Sequence, residues 1–160
     1  MFNFFKSKYT IDKFNEEMLR EQHKLTIHLK SLINEIGYND EDVYGGCGIV
    51  SCWIIIRSID DPEYIDNFFE YFLKRDFPSK VKEMSYVLSS MFQHLDPYFK
   101  QWTKNPVAGS RLAEAMLKVI NGDDSEKKYG DIECMTVFAF FSEQFKYLLQ
   151  KQHSLRKKIK

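Results

Sequence analysis

A chain of 160 residues has the length of one domain and can bury a core without disulfide or metal support. With 14 Phe and 9 Tyr against 7 Gly and 4 Pro, it is too rich in rings and too poor in turn formers for a sandwich or barrel. Its 23 basic and 23 acidic side chains cancel, which excludes a global field able to draw in nucleic acid or an anionic membrane.

Residues 1–9, with Phe2, Phe4 and Phe5, read as a short apolar arm, and Lys6 interrupts any signal-peptide core. Thr10 is placed to cap the helix that follows. Over residues 11–36 the apolar side chains Ile11, Phe14, Met18, Leu25, Leu29, Leu32, Ile33 and Ile36 recur at steps of three and four, and Gly37 supplies a stop. Residues 38–46 form an acidic loop.

The organising stretch comes next: Gly45-Gly46-Cys47-Gly48-Ile49-Val50-Ser51-Cys52-Trp53-Ile54-Ile55-Ile56-Arg57-Ser58-Ile59. It is far too short to span a bilayer, which needs about 20 apolar residues. Its β-branched density argues for a strand. Its lack of alternation, the seven-residue spacing of Ser51 and Ser58, and the absence of a second strand to pair with argue for a buried helix. The helix is the preferred reading.

Asp61-Pro62 is a helix start, with Ile65, Phe68, Phe69, Phe72 and Leu73 as the inner stripe and Phe77-Pro78 as its end. Ser79 is placed to cap a helix with Val81, Met84, Val87, Leu88, Met91 and Leu95 on one face. Asp96-Pro97 repeats the cap-and-proline device for a short segment to Trp102, and Asn105-Pro106 uses it again for a helix ending at Asn121-Gly122. Residues 121–130 read as a loop. The last helix turns Cys134, Val137, Phe138, Phe141, Phe145, Leu148 and Leu149 inward, and the basic end frays. The expectation is an all-α single domain of six to seven helices around a buried apolar helix over residues 47–59. An arm (1–9) precedes the helical domain (10–155), and a basic tail (156–160) follows it.

Chemistry is sparse. His23, His28, His94 and His153 form no metal-ligand pattern: no Glu stands three residues before any of them, and there is no paired Cys-x-x-Cys. No metal and no cofactor is expected. The glycines at 45, 46 and 48 lack the Lys-Ser/Thr of a phosphate loop and suit close helix packing. Three cysteines, two of them in the most apolar run, suit buried thiols in a reducing cytoplasmic setting.

Cys47-Gly48-Ile49-Val50-Ser51-Cys52-Trp53 resembles the Cys-Gly-Ser-Cys-Trp signature of papain-like cysteine proteases, with two residues inserted and no preceding glutamine. The resemblance implies a thiol nucleophile at Cys52, or at Cys47, activated at a helix N-terminus by a histidine. The competing expectation is an intracellular protein-interaction domain. Residues 38–70 hold Asp40, Glu41, Asp42, Asp60, Asp61, Glu63, Asp66 and Glu70 against Arg57 alone, a local charge of −7. Residues 71–160 carry 16 basic and 10 acidic side chains. An acidic face built from Tyr38, Asp40, Glu41, Asp42, Tyr44, Asp60, Asp61, Glu63, Tyr64 and Asp66 would suit a basic protein partner, in the manner of toxin-neutralising immunity proteins. Nucleic-acid and membrane partners are not expected.

Overall fold

The computed structural model describes residues 2–37, 43–122 and 129–159, with side chains described from residue 11 onward. Helices form α1 (Phe2–Glu35), α2 (Val43–Ser58), α3 (Pro62–Asp76), α4 (Val81–Lys104), α5 (Gly109–Asn121) and α6 (Asp131–Ile159), with one 3-10 turn at Pro106–Ala108. The described residues contain no strand. The fold is all-α, and the central apolar run is a helix.

That helix explains the rest. From Val50 to Ile56 every residue of α2 is buried, so it has no solvent face to leave uncovered. A helix that is apolar all round is stable in water only inside a core. Accordingly α2 packs against all five other helices, with α1, α5 and α6 as its main neighbours. Trp53 lies at its centre, edge-on to Phe99 at 5.6 Å and stacked on Phe141 at 6.0 Å. Burying side chains of this size contributes about 1.5–3 kcal/mol each.

The glycines of α2 divide by role. A Cβ at Gly46 would overlap the backbone of Ile120, so the absent side chain is what lets α2 meet the last turn of α5. Gly45 and Gly48 face open space. Gly48 contributes through its carbonyl, which accepts a 3.2 Å bond from Gln22 Nε2 on α1.

Several local signals act as read. Asp61 caps α3 by accepting from the Glu63 N–H at 3.0 Å, followed by Pro62 in the first turn. Gly37 and Gly122 take positive φ, 99° and 60°, where α1 and α5 stop. Others are corrected. The segment read as an arm is helical from Phe2, so Thr10 is interior and not a cap. Residues 2–35 contain neither Gly nor Pro, and nothing in the chain interrupts propagation. Ser79 does not cap α4; its N-cap position is Lys80, which makes no side-chain cap bond.

Asp96-Pro97 does not start a helix, because α4 runs through it. A proline inside a helix costs about 3 kcal/mol. Buried Phe92 and Leu95 before it, with half-buried Phe99 and Trp102 after it, outweigh that loss by holding both halves on the core. Asn105-Pro106 starts only the 3-10 turn, where Asn105 Oδ1 accepts from the Val107 N–H at 3.2 Å, and α5 follows from Gly109. The basic end is not a frayed tail: α6 stays helical to Ile159.

The two kinds of glycine in α2 are separable by mutation. Gly46→Ala should lower stability by about 1–3 kcal/mol or more, since its clash is with backbone that cannot rotate away. Gly45→Ala, exposed one position earlier, should raise stability by about 0.5–1 kcal/mol through helix propensity. Denaturant midpoints of the two variants check the contrast, and equal effects would contradict the close α2–α5 contact.

Candidate functional site

The thiols come first, since they carry the enzymatic expectation. Cys47 and Cys52 are wholly buried and Cys134 nearly so, all three unpaired. Burial pushes the Cys47 thiol up to about 12, only partly countered by the Lys30 ammonium. Burial, with help from Asp76, pushes Cys52 higher still. These groups are held as neutral thiols. All four histidines are exposed, and among the described residues none is hydrogen-bonded to a cysteine; His23 pairs with Asp76 at 3.2 Å and His153 with Asp60. The resemblance to papain-like proteases therefore does not extend to the geometry. The cysteine that its signature would activate is a core side chain inside α2.

The acidic pole has a different fate in each part. Tyr38, Asp40, Glu41 and Asp42 lie outside the described residues. Tyr44 is 54% exposed, with the Lys30 ammonium 5.3 Å from its ring centre. Asp60, Asp61 and Tyr64 come together where α2 turns into α3, and there the end of α6 meets them.

Asp60 Oδ1 accepts from Gln152 Nε2 at 3.1 Å and from the Arg156 guanidinium at 2.5 Å, while Oδ2 bonds the His153 ring at 2.6 Å. Asp61 divides its carboxylate: one oxygen caps α3, and the other pairs with Arg156 at 3.2 Å. The same guanidinium lies 5.0 Å from the Tyr64 ring centre, and Phe14 packs edge-on against that ring. One arginine thus bridges two carboxylates over an aromatic face. The His153 bond, followed by those from Gln152 and Arg156, holds the Asp60 carboxyl below the usual carboxylate range against the opposing effect of burial.

Glu63 and Asp66 stand on the exposed side of α3, one turn apart, with no ion pair among the described residues. Glu70 continues their line and pairs with Lys74 at 2.5 Å. The face keeps more acid than Arg156 can neutralise.

Sequence reasoning missed Gln152, His153 and Arg156. The four-residue step from Gln152 to Arg156 places them on one side of a helix, and that was the available signal; the partner was not visible, being more than 90 residues away. It also missed Asp96, which takes Arg57 in a two-bond pair at 2.8 and 2.9 Å and the Trp53 indole N–H at 3.0 Å. A third tie links buried Glu21 on α1 to Lys151 at 3.4 Å and to the Tyr147 hydroxyl at 3.2 Å.

Elsewhere, an open groove of about 510 Å³ runs along α6 over Met135, Phe138, Ala139, Ser142, Glu143 and Lys146. Among the described residues no group of three or more His, Cys, Asp or Glu could hold a metal ion, and no helix is long and apolar enough to cross a membrane. No protein-family model matches the chain, and neither curated proteins nor solved structures yield a match.

The low Asp60 pKa fixes a sign. A carboxyl whose pKa falls on folding contributes stability above its unfolded value, and loses it as pH drops through the folded one. Wild type should therefore exceed Asp60→Asn in stability at pH 7, and the gap should close as pH falls below the usual carboxylate range. Denaturant midpoints of both proteins across that window test this. A gap that widens in acid would contradict it.

Proposed function

We propose that this helical domain acts inside the cell by binding another protein, and that the acidic face of α3 and the α2–α3 corner is the docking surface for a basic partner. The observation that carries the reading is the pair Glu63 and Asp66, exposed and unpaired among the described residues beside a corner where Asp60, Asp61 and Tyr64 already hold a guanidinium. Surface carboxylates in excess steer a cationic partner by long-range attraction, and aromatic rings beside them supply apolar contact. Tyr44 and the Asp40, Glu41 and Asp42 segment extend the same polarity in sequence. A toxin-neutralising immunity protein, which blocks a basic toxin with an acidic face, is the particular class we propose. Three unpaired thiols agree with a reducing compartment, and their burial supports a structural rather than a nucleophilic role.

Two measurements bear on this. Thiol reagents should label Cys47 and Cys52 only as fast as the protein opens, so labelling should accelerate steeply with denaturant. Fast labelling of either in the native protein would favour the thiol enzyme. For binding, Glu63→Gln with Asp66→Asn should change stability by less than about 0.5 kcal/mol. It should slow association with a partner captured by the wild-type chain about three- to tenfold at low salt, an effect that fades as salt is raised. Lys157→Gln with Lys158→Gln should not slow it. A partner lost with the lysine variant and kept by the carboxylate variant would place the interface at the wrong pole.

A further inference from the structure

The end of α6 is anchored unlike the rest of that helix. Up to Leu148 its inward positions are apolar and buried: Val137, Phe141 and Leu148, with half-buried Phe138 and Phe145. Beyond Leu148 the one fully buried residue among those described is Gln152, and Leu155 and Ile159 are only half-buried. Besides the packing of Leu155 and Ile159 against the core, residues 151–159 are tied down by polar contacts: Lys151 to Glu21, three α6 side chains to Asp60, and Arg156 to Asp61 and the Tyr64 ring. Glu21 is buried, but the two acids that meet Arg156 are open to water, with Asp60 49% and Asp61 34% exposed. Ion pairs at such exposure are individually weak and salt-sensitive, so this end is the part of α6 that a competitor can lift.

We infer that residues 151–159 form a displaceable cover over the acidic face, with Arg156 occupying the seat that an arginine of the partner takes. The inference rests on the docking surface proposed above and adds its regulation. Two carboxylates bridged by one guanidinium over a tyrosine ring match arginine better than lysine, whose ammonium lacks the planar fork. Because the occupant belongs to the chain, a partner's arginine reaches this seat only by displacing Arg156, and weak cationic competitors are turned away from it.

A labelled nona-arginine peptide is the probe, titrated at low salt against the full chain and its variants. Arg156→Ala should bind it about tenfold more tightly than wild type, since the seat is then vacant. Adding Asp60→Asn should remove that gain. Lys157→Ala, which makes the same change in charge without a seat contact, should shift affinity less than about twofold. In the wild-type chain, hydrogen exchange should show amides 151–159 losing protection when the peptide binds while α2 keeps its own, a readout that needs no variant. Equal affinities of Arg156→Ala and wild type would overturn the cover but leave the docking face standing. A gain with Lys157→Ala as large as with Arg156→Ala would overturn it as a mere charge effect. No binding even to folded Arg156→Ala would overturn both the cover and the docking face.

Discussion

Everything in this molecule depends on the middle of α2 having no side that tolerates water. Other helices in the chain carry one apolar stripe and one polar face, and each could lie on many surfaces. A helix whose residues 50–56 are all buried can exist only when it is enclosed, and the amphipathic helices satisfy it by turning their stripes inward. Gly46 sets how near that enclosure comes on the α5 side, since its backbone meets the backbone of Ile120 directly. The aromatic excess then has a place: Phe99 and Phe141 meet Trp53, and Trp102, Phe138 and Phe145 extend the run from those two rings in edge and tilted contacts.

An apolar centre fixes enclosure but not register, because apolar contacts are non-directional. Direction comes from a few polar ties at its margins. Asp96 receives Arg57 and Trp53 and so settles how α4 lies along α2. Gln22 reaches the Gly48 carbonyl and settles α1. The α1–α2 seam carries a cost as well. Among the described residues Asn15 Oδ1, Gln22 Oε1 and Ser51 Oγ are buried with no protein hydrogen-bond partner, and a buried polar atom left wholly unpaired typically costs about 1–3 kcal/mol. Polar groups kept in a core at that cost narrow the ways α1 can slide, because only a register close to this one retains the Gln22 bond.

The fold was legible where the signal is local. The all-round apolarity of residues 49–56, the three- and four-residue steps of Phe14, Met18, Leu25 and Leu29, the Asp61-Pro62 cap and the Gly122 stop each act within a turn or two of themselves. Asp96-Pro97 has the same letters as Asp61-Pro62 and the opposite outcome. The difference lies in Arg57, some 40 residues away, which recruits the Asp96 carboxylate, and in the rings on either side of Pro97 that keep both halves of α4 on the core. The candidate site was legible by half for the same reason. Asp60, Asp61 and Tyr64 were identifiable as acidic and aromatic surface, whereas the side chains that meet them lie at the far end of the chain.

That distant meeting changes what the charge pattern means. A neutral chain with an acidic stretch and a basic remainder can direct its poles outward, towards partners, or towards each other. Here the nearest parts of the two poles are joined: Arg156 and His153 reach Asp60, and Asp61 divides itself between a helix cap and Arg156. Opposite charges brought together at a half-exposed corner contribute little to stability once solvent screening is counted. They do fix where the end of α6 meets the α2–α3 corner, because the bonds to Asp60 and Asp61 are directional. The acid that remains, on the outer side of α3, is not consumed in this way. Glu63 and Asp66 neither cap a helix nor pair across one among the described residues, and their burial is slight. Folding therefore uses the inner edge of the acidic stretch in caps and ion pairs and leaves the carboxylates of its outer edge exposed.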